Sequence, residues 1–146
     1  MYLALRLAHL MSAAVWFAAT LTTASDVRRS LDQGGTAARG MLDRVKRTLA
    51  LSSGAGTLAL ATGLGLIFVL GGFKHVPVRI HAGFGLSLVA LALEASLLGS
   101  AFRRVAEGVT EDKLDDARAG AKQMAAFTGV LHLLRTAVFV VMVLRF

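Results

Sequence analysis

The sequence predicts an all-α protein, a four-helix antiparallel transmembrane bundle. Hydrophobic residues fill 55% of its 146 positions and charged residues 17%, which is too apolar for an ordinary soluble domain of this length. The charges are also segregated: none stands between Arg6 and Asp26, and none between Arg47 and Lys74. Uncharged stretches of that length cross a hydrocarbon core of about 30 Å at about 1.5 Å per residue. Two further segments, Ile80–Phe102 and Gln123–Leu144, are each interrupted by one charge, Glu94 and Arg135. All four are Leu/Ala/Gly-rich runs without period-2 alternation, which excludes a β-barrel.

The four helices are expected near residues 3–24, 48–71, 79–101 and 124–145, in a single domain covering 1–146. The first span competes with a signal-peptide reading of Leu7–Leu21, since Thr23-Ala24-Ser25 resembles a weak cleavage region; the span is preferred. Gly34-Gly35 signals a turn, after which Ala37–Arg47 continues the second helix beyond the membrane. Gly71–Val78 is a short connection to the third helix. Glu107–Lys122 carries mixed charge at helical spacing and extends the fourth helix in the same way. No extramembrane domain is expected.

Arg28, Arg29, Arg39, Arg44, Lys46 and Arg47 lie in one long loop, and Arg103, Arg104, Lys113, Arg118 and Lys122 in the other. Only Arg6, Lys74, Arg79 and Arg145 lie on the opposite side. The positive-inside bias places both charged loops in the cytoplasm and both termini outside, in a bacterial inner membrane. A formal charge of +7 therefore reflects topology and a lipid bilayer partner, and no nucleic acid is expected. The absence of cysteine excludes disulfides, thiolate metal sites and a thiol nucleophile.

Ionisable side chains at bilayer depth are costly and require a partner or a task. By the helical rise, His9 lies about 9 Å below the outer surface and His81 about 3 Å, on different helices. Two imidazoles facing one another across a bundle are the arrangement that clamps a haem iron. Arg6 and Arg79 flank the pair on the outer side, where they would hold propionates; Ala13 and Gly85 leave room, and Trp16 would form a wall. The plainer reading makes these histidines interhelical hydrogen-bond donors. His75 is expected to be a solvated loop residue. In the inner half, Glu94 about 22 Å from the outer end and Arg135 about 16 Å from the inner end approach the same depth, with His132 nearby. A buried Glu94–Arg135 ion pair is the simpler reading, and a proton or quinone path the sharper one.

Leu7-Ala8-His9, Val15-Trp16-Phe17-Ala18, the basic Leu42–Arg47 stretch leading to Ala61-Thr62-Gly63-Leu64, and Arg79-Ile80-His81-Ala82 resemble the HemJ-type protoporphyrinogen oxidases and the related CopD-like four-helix membrane proteins. The resemblance covers essentially the whole chain. It implies a haem-b-binding bundle, a homodimer, with His9 and His81 matching the family's histidines. It further implies six-electron oxidation of protoporphyrinogen to protoporphyrin. The sequence departs from the family at Thr23-Ala24-Ser25-Asp26, where a Pro-Arg step is usual, and at Leu131-His132-Leu133-Leu134-Arg135, where an Asn-Glu-Val-Pro-like motif is usual.

The expectation is a membrane b-type haem protein in electron transfer, with a quinone or another redox protein as partner and a HemJ-like oxidoreductase activity. A second class is CopD-like copper handling through histidines and Met11, Met124 or Met142. A third is a structural subunit of a membrane complex.

Overall fold

The computed structural model describes residues 2–143, all of it helix and connecting turns, and Arg145, counted above among the outer basic residues, lies outside them. Four helical stretches are long and apolar enough to cross a membrane: Tyr2–Asp32, Gly35–Val69, Val78–Thr110 and Leu114–Val143. They assemble as a four-helix bundle, and the molecule is an integral membrane protein.

The first span is two helices, α1 (Tyr2–Ala18) and α2 (Thr23–Asp32), rather than the continuous helix expected near 3–24. Between them Leu21 N–H bonds Ala18 O at 3.1 Å and Thr23 N–H bonds Thr20 O at 3.2 Å, tighter i→i−3 contacts that interrupt the α-helix. Thr20, Thr22 and Thr23 concentrate β-branched, hydroxyl-bearing residues there, and such side chains compete with the helical backbone.

Gly34, at φ 96°, turns the chain into α3 (Gly35–Val69), whose 35 residues extend about 50 Å at 1.5 Å each. This exceeds the thickness of a hydrocarbon core, and α3 runs without a break through the expected extension Ala37–Arg47. The other end of α3 closes in a Schellman motif. Gly72 N–H reaches Ile67 O at 2.9 Å and Gly71 N–H reaches Phe68 O at 3.1 Å, with both glycines at positive φ.

After a short 3₁₀ turn at Phe73–His75, Pro77 introduces α4 (Val78–Leu93). A π-helical turn at Glu94–Leu98 joins α4 to α5 (Gly99–Thr110), so the third span is longer than the expected 79–101 and is widened at its middle. Asp112, at φ 58°, leads into α6 (Leu114–Val143). At this turn Lys113 Nζ lies 2.7 Å from Glu111. That hydrogen bond and charge hold the Glu111 carboxyl below its usual range and the Lys113 ammonium above its own.

The end carrying Tyr2, Val143 and the Leu70–Pro77 connection is called the terminal end; the end carrying the turns at 33–34 and 111–113 is the charged end. The apolar core is concentrated toward the charged end, where Val27, Leu31, Met41, Val45, Leu98, Val105, Met124 and Leu131 are all buried. A smaller group of Trp16, Ala55 and Ala90 lies midway. Leu3, Leu7, Leu58, Phe68, Leu133 and other large apolar residues on the spans are exposed, which is the surface a bilayer covers. With the tight core at one end, the terminal half is left to enclose a cavity.

Candidate functional site

The chemistry is gathered at the middle of the bundle around one buried ion pair. Arg135 Nη2 donates to Glu94 Oε2 at 2.7 Å, and the two side chains are only 1% and 2% exposed. Trp16 Nε1 donates to the same Glu94 oxygen at 2.8 Å. Arg135 also donates through Nη1 to Thr20 Oγ1 at 2.9 Å and through Nη2 to Ser52 Oγ at 3.1 Å. Its guanidinium carbon lies 5.0 Å from the centre of the Trp16 ring, within cation–π range. Each span thus supplies at least one member of the cluster.

The local backbone explains how Glu94 reaches it. Buried positions on the third span run Ser87, Ala90, Glu94, Leu98, Ala101, so two successive steps of four fall around Glu94. A regular helix would rotate those positions off one face; the π turn, with more residues per turn, keeps them aligned toward α6. Close approach of α3 is permitted by Gly56, where a Cβ would stand 2.8 Å from Trp16 Nε1 and 2.8 Å from Leu91.

Toward the terminal end, a cavity of about 640 Å³ opens above this cluster. Trp16 and Arg135 form its floor, Ala13, Ala59, Gly63 and Ser87 line its walls, and Arg6 and Arg79 stand on it near the terminal end. His9 also faces the cavity, half-buried, with Nδ1 2.9 Å from Ala59 O and 3.3 Å from Thr62 Oγ1. A carbonyl only accepts, so Nδ1 is the donor in this contact. Arg79 Nε is buried and has no hydrogen-bond partner among the described residues.

The structure separates the two histidines expected to act together. His81 is exposed and absent from the cavity lining: its Nδ1 lies 3.3 Å from Pro77 O, and its ring packs 5.7 Å from that of Phe73. It sits in the first turn of α4, where the preceding Pro77 carbonyl and the 3₁₀ turn hold it on the outer rim. Gly85 is likewise off the cavity, and nothing lies within 4 Å of a Cβ placed there. Arg6, Ala13, Trp16, Arg79 and His9 are brought together; His81 and Gly85 are not. His75 is an exposed loop residue bonded to Gly71 O at 2.7 Å.

The methionines are dispersed. Met11 is exposed, Met124 belongs to the core toward the charged end, and Met142 packs against Gly83 at the cavity wall. No group of three or more His, Asp or Glu suited to a metal ion occurs among the described residues.

Two features escaped the sequence reading. Trp16 lines the cavity, and its indole N–H is also committed to Glu94; the signal for this is the need of a buried indole for an acceptor, with Glu94 the carboxylate within the apolar runs. Thr20 and Ser52 as partners of Arg135 carry no signal in the sequence, since hydroxyl residues are scattered over both spans. The chain matches no protein-family model, no curated protein and no solved structure.

Proposed function

We propose that the protein is a b-type haem protein of the membrane that takes part in electron transfer, with haem held in the cavity of the terminal half. The observation that carries this reading is that His9, Arg6 and Arg79 share one largely apolar cavity of about 640 Å³. That volume lies inside the range of about 300–1,000 Å³ typical of sites for small organic ligands. The residues fit the group. The Nδ1 of His9 is tied to the Ala59 carbonyl, the contact by which metal-binding histidines are oriented to offer Nε2. Arg6 and Arg79 suit propionates near the membrane surface, and the buried, unpartnered Nε of Arg79 lacks an acceptor that such an anion would provide. Bound haem would supply the one-electron change at iron; the chain supplies the ligand, the apolar enclosure and the anion clamps.

The reading retains His9 as the residue that would hold the iron and leaves His81 outside the site. The orientation belongs to the same proposal: an antiparallel bundle with both termini outside and the charged end in the cytoplasm. Oxidation of protoporphyrinogen is the form of this activity that the HemJ resemblance implies, with a quinone as electron acceptor and a homodimer as the assembly.

The test is hemin titration of the purified protein, followed by dithionite reduction in an optical cell. A haem spectrum with one protein ligand is expected, abolished by His9→Ala and preserved by His81→Ala. Arg6→Ala or Arg79→Ala should weaken retention about tenfold, equivalent to about 1.5 kcal/mol for a charged hydrogen bond. A protein that takes up no hemin, or that loses it with His81→Ala and keeps it with His9→Ala, overturns the assignment.

A further inference from the structure

Between the cavity floor and the charged end, polar side chains with unmet hydrogen-bonding capacity fall in one line. On α6, Thr128, His132 and Arg135 stand at i, i+4 and i+7, a single helical face. Thr20 meets this face directly, and Thr23 opens α2, which packs on α6. Thr20 Oγ1 is 2.9 Å from Arg135 Nη1 and 3.5 Å from His132 Nε2. Thr23 Oγ1, Thr128 Oγ1, His132 Nδ1 and Arg135 Nε are all buried with no partner among the described residues.

Such a series is costly in a dry interior and is ordinarily satisfied by internal water. The backbone supports the same conclusion. Both irregular stretches within the spans, the break at 19–22 and the π turn at Glu94–Leu98, lie beside this cluster, and irregular backbone at membrane depth occurs where it is packed in protein or lines water. By the helical rise Thr23 stands about 30 Å from Tyr2, at the boundary of a hydrocarbon core, and the exposed Thr22 and Ser25 flank it. At its other end the line reaches Arg135, which is already part of the cavity floor.

We propose that this line is a hydrated proton path connecting the charged end of the bundle to the cavity, with His132 as its relay. His132 faces Phe17 of α1 and Thr20 of the break that follows it, and the charged groups around it are Arg135 on its own helix and Glu94 on the π turn. A proton taken up at one ring nitrogen is matched by one released from the other, so one positive charge crosses the ring, which returns to neutrality. A ring flip then restores the starting tautomer. A lone arginine at the junction would repel protons; here Glu94 neutralises Arg135 at 2.7 Å, so the junction has no net charge. The proposal does not depend on haem.

The experiment uses the full chain in liposomes without added haem, with proton entry driven by a potassium gradient and valinomycin and read by a trapped pH-sensitive dye. Proton entry above that of protein-free vesicles is expected. His132→Leu should lower it roughly a hundredfold, the scale on which positioned proton carriers act, or to the vesicle background. Thr128→Val should lower it in the same direction, whereas His75→Ala should not change it. Wild-type entry equal to protein-free vesicles overturns the proposal, as does undiminished entry in a folded His132→Leu protein. If that variant does not fold, Thr128→Cys in the naturally cysteine-free chain decides the matter. Reaction with a water-soluble thiol reagent from the charged end supports the path, and no reaction shows the line to be dry and overturns it.

Discussion

Arg135 is held from several sides at once, since it is 1% exposed and engages Glu94, Thr20, Ser52 and the Trp16 ring together. Removing one member of a buried pair strands the other charge, so Glu94→Leu or Arg135→Leu should each cost about 3–5 kcal/mol. The double replacement should recover much of that loss, because no unpaired charge remains. Thermal unfolding in detergent measures the cycle, and additive losses would argue against coupling. Trp16→Phe keeps most of the packing and deletes the indole donor to Glu94; a loss of about 1.5–3 kcal/mol is expected for a hydrogen bond to a charged group. The depth of Glu94 and Arg135 was legible in the sequence because both interrupt otherwise apolar runs. The direction of Trp16 was not, since its indole could serve the cavity wall and the carboxylate equally well, and in the structure it does both.

Among the helices, contact between elements is controlled by residues without side chains. Pairs between α1 and α3 run in opposite order, with Leu5 against Gly65, His9 against Gly63 and Trp16 against Gly56. Between α5 and α6, Gly108 leaves less room than Gly120: a Cβ there would lie 2.6 Å from the backbone nitrogen of Ala117. Backbone cannot give way as a flexible side chain does, so Gly108→Ala should destabilise the protein by about 1–3 kcal/mol. Gly129→Ala, in the interior of α6 with nothing within 4 Å, should be neutral or stabilise it by up to about 1 kcal/mol. Comparing melting temperatures of the two variants checks the pair, and equal effects would remove close approach as the reason for Gly108. The ends of α3 were readable from Gly34-Gly35 and from the glycines after Leu70. The break after Ala18 and the π turn at Glu94 were not: no glycine, proline or charge stands at 19–22, and a single glutamate does not distinguish a π turn from a regular helix.

For the molecule as a whole, the proposed orientation puts the charged end and the terminal end on opposite sides of the membrane. Single cysteines at Asp32, Asp115 and Val78, all exposed, test this without background because the chain has no cysteine of its own. With an impermeant thiol reagent outside intact cells, Val78→Cys is expected to react. Asp32→Cys and Asp115→Cys should react only once the membrane is opened. Reaction of Asp32 and Val78 from the same side would mean that the spans do not cross as paired helices.

The number of spans was determined by the sequence alone, because apolar runs can be measured against a fixed helical rise; where each helix begins, ends or breaks was not. The rotation of each helix about its axis was decided only by tertiary structure. In lipid the spans are apolar on every side, so no hydrophobic face reports which residues turn inward. The π turn then rephases the third span midway. Thus Glu94 and Arg135 meet as their depths require, while His9 and His81, also near in depth, are held apart: one faces the cavity and the other packs on Phe73 at the rim.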